Sequence, residues 1–195
     1  MKKSINQILD NNKNYVKIYF LPALIILSFL LRVIVVYFTR DTHLDNEWNN
    51  LLNNLIEHKS FVYYTFDGIL IPSALVPPMY PIFMYLINII NPFGTVNLLH
   101  LIIAVQLLIS TYSVFLFYQI NQNFFSQKVS LINAVIFSII PLNVIISGQI
   151  SSITLQMFLS LLFLKFLFHI INKENNKNIF IFSLISGLLI LTRGE

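Results

Sequence analysis

Long apolar runs alternate with short polar breaks along this chain, and the first run, Ile18–Phe38, holds 21 residues with a single charge, Arg32. At 1.5 Å rise per residue a helix of that length covers about 31 Å, enough for a typical hydrocarbon core. Further runs at Val96–Ile120, Val129–Ile150, Ile153–Ile171 and Ile179–Thr192 bring the predicted spans to five. The pattern changes between residues 39 and 95. Trp48, Leu51, Leu52, Leu55 and Ile56 recur at helical spacing, with Asn49, Asn50, Asn53, Asn54 and Glu57 on the opposite face, which predicts a short amphipathic helix. A second helix is predicted after Pro77-Pro78, since proline is pre-organised for a first helical turn. Its helix-capable part, Met79–Ile90, has 12 residues and reaches only about 18 Å, too short to cross.

Composition changes this picture little but bounds it. Of the 195 residues 56% are apolar and 10% charged, far from the roughly 25% charged of soluble domains. The chain reads as an all-α polytopic membrane protein, a single membrane domain over residues 1–195. The absence of cysteine excludes disulfides, thiolate metal sites and thiol nucleophiles. The net charge of +4 is scattered in ones and twos between the apolar runs, a topology signal and not a nucleic-acid surface. Lys2, Lys3, Lys13 and Lys17 precede the first span, Lys128 lies between the second and third, and Lys173 and Lys177 lie between the fourth and fifth. All seven share one side only if the Pro77–Ile90 stretch stays out of the membrane. The expected topology is therefore a cytoplasmic amino terminus (1–17), spans at 18–38, 96–120, 129–150, 153–171 and 179–192, and an outer loop at 39–95. A multi-pass protein of a bacterial inner membrane, with that loop in the periplasm, fits this arrangement.

The outer loop concentrates unusual residues. From Asp45 to Ile87 it carries four of the eight acids, the single Trp and four of the seven prolines. Asp45 stands just before the amphipathic helix, where spacing alone favours an N-cap, worth about 1 kcal/mol, over a carboxylate positioned beside the membrane surface. Glu47 falls in the first turn, where the helix dipole favours an acid. Asp41 and Arg40 read as flanking charges, and Asp67 before Gly68 as a turn residue. Arg32, inside a span, is open to two readings: a snorkelling or helix-pairing side chain, or a contact to an anionic ligand. Arg193, at the outer end of the last span, is either an end-of-helix anchor or such a ligand contact. Lys165 reads as a topological charge. His43 and His100 lack partners at ligand spacing, so no metal site and no cofactor are expected.

An acidic first outer loop with DNEW and LLNNL, then PPMYPIF, then a span ending in GLLILTR (Gly187–Arg193), resembles the amino-terminal half of the GT-C polytopic glycosyltransferases. The nearest group is the family-39-like protein mannosyltransferase and aminoarabinose transferase relatives. The resemblance runs through essentially the whole chain in order and spacing. It implies an inverting transfer of a sugar from a polyprenyl-phosphate donor to a lipid, glycan or protein acceptor. It further implies Asp45, with Glu47 as second choice, as the catalytic base, and Arg193, Arg32, Arg40 and Tyr80 as substrate-binding residues. Two positions depart from the pattern: Val76 stands where relatives often carry a basic residue, and ISSITLQ lacks their frequent acid. Relatives have about twice as many spans, so the chain is expected to be a fragment of a longer enzyme. An inactive remnant, a half-transporter or an assembly partner are the alternatives.

Overall fold

The computed structural model describes residues 19–39, 47–66, 69–72, 76–91, 98–172 and 175–193. Eight helices and one two-stranded hairpin follow in the order α1 Leu21–Thr39, α2 Glu47–His58, β1 Val62–Phe66, β2 Ile69–Pro72, α3 Met79–Ile90, α4 Leu98–Asn121, α5 Gln127–Ile139, α6 Pro141–Ile146, α7 Ile153–Asn172 and α8 Asn176–Thr192. Three of them, α1, α4 and α7, are long and apolar enough to cross a membrane. Uninterrupted apolar helices suit that environment because every backbone polar group inside them is satisfied within the segment. The helices at the other two predicted spans fall short of that length.

The expected span at 129–150 is broken. Proline disfavours the helical region for the residue before it, and Ile140 accordingly takes φ −55° and ψ 119°. Helix α5 therefore stops at Ile139 after 13 residues, and a six-residue α6 restarts with Pro141 in its first turn. Helix α8 begins three residues before the apolar run because Asn175 caps it, its side-chain oxygen accepting from the Lys177 N–H at 3.0 Å. Its 17 residues reach about 26 Å.

Helix α4 is the centre of the bundle. Just over half of its most apolar stretch is buried (56%), against 17% for α1 and 22% for α7, whose outward faces stay exposed. Small residues line its contacts, as expected where helices must approach closely without a hydrophobic driving force. Ser110 and Ser113 on α4, Ser28 on α1, and Ser130 and Ala134 on α5 are all buried. Phe117 of α4 stacks on Phe137 of α5 with ring centroids 4.4 Å apart. Gly148, after α6, permits a close approach: a Cβ built there would collide with Val36 Cγ2 of α1.

Helices α2 and α3 form a layer over one end of the bundle. The predicted amphipathic helix is present as α2, with Leu51 and Leu52 fully buried and Asn50, Asn53 and Glu57 exposed. Its apolar face meets protein: Leu52, Trp48 and Ile56 join a cluster with Tyr80, Met84 and Ile87 of α3, Leu98 and Ile102 of α4, and Leu188 and Leu189 of α8. Pro78 caps α3, and Pro81 in its first turn lacks an N–H that would have had no helical partner. The hairpin is an addition to the all-helical expectation. Its strands, VYYTF and ILIP, are rich in β-branched and aromatic residues and pair antiparallel, with Phe66 opposite Ile69. Asp67, read as a turn residue, lies between them but outside the described residues. Lys59 ends α2 in the left-handed region at φ 54°, a position usually given to glycine. Its ammonium donates to the Tyr85 hydroxyl of α3 at 3.1 Å.

Candidate functional site

Two polar constellations sit inside the apolar bundle, and both use residues that the sequence singled out. The first is built on α3. Starting that helix at Pro78 turns Tyr80 inward, where it is fully buried and meets Trp48 of α2 edge-on, ring centroids 5.0 Å apart. Its hydroxyl donates to Gln106 Oε1 at 3.2 Å, and Gln106 Nε2 donates to the carbonyls of Gln149 at 3.1 Å and Ser151 at 3.3 Å. The platform is thereby tied through α4 to the turn between α6 and α7. Burial pushes the Tyr80 hydroxyl far above the ordinary tyrosine value of 10.0, so it stays a neutral donor.

The second constellation surrounds Arg32, which has no exposed surface. Its Nε donates to Ser110 Oγ of α4 at 2.8 Å, and its Nη1 donates to the Ser28 carbonyl at 3.0 Å, to Ser28 Oγ, and to the Ser138 carbonyl of α5 at 3.4 Å. Ser138 lies in the last turn of α5, where carbonyls have no helical N–H to accept from. The remaining Nη2 is buried without a partner. Arg32 therefore joins three helices from inside, and no surface of it is presented to a ligand.

Arg193 caps α8, its N–H donating to the Leu189 carbonyl at 3.4 Å, and is half-buried. Leu188 and Leu189, one turn before it, pack in the same cluster as Tyr80, Met84 and Trp48. The last turn of α8 and the platform thus share one end of the bundle. Glu47 opens α2 as the backbone pattern predicts, and the neighbouring Trp48 holds that end of the helix against α3. Asp45, Arg40, Asp41 and His43 lie outside the described residues. Val76, where relatives of the resembled family often carry a base, is buried at 7% exposure, so an apolar residue fits the position. Glu57 and His58 lie 3.9 Å apart on exposed α2. Among the described residues no three His, Asp or Glu side chains gather into a metal-binding group.

Sequence reasoning missed Gln106, Ser110 and Ser138. The signal was available: Gln106, Ser110, Thr111 and Ser113 interrupt the apolar middle of a 24-residue helix, and polar side chains in such a position face protein rather than lipid. Compared with protein-family models, with curated proteins and with solved structures, the chain finds no match.

Proposed function

We propose that the chain transfers a sugar from a polyprenyl-phosphate donor to an acceptor hydroxyl at the outer face of a membrane, as its motif order suggests. The observation that carries this reading is the platform: α2 and α3, neither long enough to span, are packed over the bundle end that also holds the end of α8. A layer of that kind is suited to polar chemistry at a water–lipid boundary, where a lipid-linked donor presents its phosphate. In the step proposed, Asp45 accepts the acceptor's proton as its oxygen bonds to the anomeric carbon, and the bond from that carbon to the phosphate oxygen breaks. The anomeric configuration inverts and polyprenyl phosphate departs. A base must lie within about 3 Å of the proton or reach it through one water, and cations stabilise the charge that grows on the phosphate. Arg193 and Arg40 are the proposed cations, and Glu47 is the second choice of base. Arg32 and Tyr80, sealed inside, support the site from beneath.

The proposal includes five membrane crossings, with α5 and α6 together forming the third and α8 the fifth, a cytoplasmic amino terminus and a periplasmic platform. In membranes containing the protein, Asp45→Asn is expected to abolish sugar transfer from polyprenyl-phosphate donors at unchanged expression. Transfer at the wild-type rate would refute the assignment. A second reading, a non-enzymatic assembly partner, is favoured by the use of both Arg32 and Tyr80 in helix packing; it predicts no transfer by the wild type.

A further inference from the structure

At the end of the bundle remote from the platform, α4 and α7 line an open polar cavity of about 300 Å³ that the transfer reaction does not use. Six of its eight lining residues are polar: Gln119, Gln122 and Asn123 from the α4 side, and Lys165, His169 and Asn172 from α7. Among the described residues no carboxylate lines it. Lys165 lies seven residues before the end of α7, about 10 Å along the helix, with His169 one turn nearer the mouth. Lys165 is the cavity's charged lining residue, and cations within apolar helices are functional candidates by default.

Phe168 in the cavity's wall meets Phe124 edge-on at 5.0 Å, and Phe124 and Phe125 stand exposed on the turn between α4 and α5. Beside the cavity, Leu164 and Ile171 present apolar surface outward from α7, as acyl chains require. Basic pockets between membrane helices are suited to phosphate-bearing head groups, with lysine acting as a point charge and amides as donors to phosphate oxygens.

We propose that this cavity binds a phosphate group presented by an anionic phospholipid of the leaflet opposite the platform, with Lys165 as its main charge contact. The test uses the full chain in detergent micelles, melted with increasing phosphatidylglycerol, phosphatidylcholine or inorganic phosphate. Phosphatidylglycerol is expected to raise the Tm well beyond phosphatidylcholine. Lys165→Gln should need at least about tenfold more of it for the same rise, the equivalent of one lost charged hydrogen bond. Lys165→Arg should keep the response, and Lys128→Gln, which removes a charge from the same end outside the cavity, should leave it unchanged. If inorganic phosphate alone reproduces the rise and Lys165→Gln removes it, the phosphate site stands and its source is the free ion. Equal responses to the two lipids, or an undiminished response in Lys165→Gln, would overturn the proposal.

Discussion

The hydrogen bond between Arg32 Nε and Ser110 Oγ joins α1 to α4 across 78 residues of sequence at 2.8 Å, fully buried. Its contribution is best read from a double-mutant cycle of Arg32→Met, Ser110→Ala and the pair. Interhelical hydrogen bonds in membrane proteins average about 0.6 kcal/mol and reach about 1.7, and a charged donor roughly doubles a neutral bond. The expected coupling is therefore about 1–2 kcal/mol. Either single variant would mislead. Arg32→Met strands the Ser110 hydroxyl and the Ser138 carbonyl, at about 1–3 kcal/mol for each unsatisfied group. It also relieves the burial of a cation, which costs about 2.5–3.5 kcal/mol at a helix centre, and Nη2 recovers none of that cost because it has no partner. These terms nearly cancel, whereas the coupling isolates the bond. Equilibrium unfolding in mixed detergent and dodecyl sulfate micelles measures it. Ser113→Ala provides the control, because Ser113 Oγ donates to the Ile109 carbonyl of its own helix at 2.9 Å and not to Arg32. A coupling within about 0.5 kcal/mol of zero, the ordinary scatter of additivity, would refute the clamp, as would equal coupling to Ser113.

Gly148→Ala forces a Cβ against Val36, a β-branched side chain with little rotamer freedom, and is expected to destabilise the chain by about 1–3 kcal/mol; combining it with Val36→Ala should recover part of the loss in the same unfolding assay. Tyr80→Phe leaves Gln106 Oε1 without its donor, at about 1 kcal/mol. The folded state raises the Tyr80 value above its ordinary 10.0, so that group's stabilisation is complete below pH 10 and declines as pH rises above it. Stability measured across that range should fall less steeply in Tyr80→Phe than in the wild type. Because the chain contains no cysteine, single introduced thiols report the proposed topology directly. Asn53→Cys on exposed α2 should react with an impermeant maleimide from the outer side of intact cells, and Lys128→Cys only after permeabilisation; the reverse pattern would invert the topology.

The parts of this fold legible in the sequence are those with a strong period. The apolar runs located α1, α4 and α7 to within three residues at each end, and the stripe of Trp48, Leu51, Leu52 and Ile56 located α2. The hairpin was not legible because its strands are four and five residues long, too short for alternation to stand out from the surrounding apolar sequence. The site was less legible than the fold. Sequence separates residues by type, while their partners are set by which helix faces meet. Arg32 showed only as a charge at membrane depth, with its uses left open.

Pro141 and Arg32 drew notice for unrelated reasons, one as a helix breaker and the other as an intramembrane charge, yet the fold makes them parts of one device. The break ends α5 at Ile139 and leaves the Ser138 carbonyl in a turn without helical donors. In hydrocarbon such a carbonyl is costly unless protein re-satisfies it. The guanidinium of Arg32 does so at 3.4 Å while its Nε holds Ser110, so the interruption in one helix supplies an acceptor for the charge in another. Each feature alone is a liability at that depth, and together they fix how α1, α4 and α5 meet. A proline break and a buried arginine 109 positions apart cannot be paired by any local sequence pattern; only the crossing of the helices brings them together.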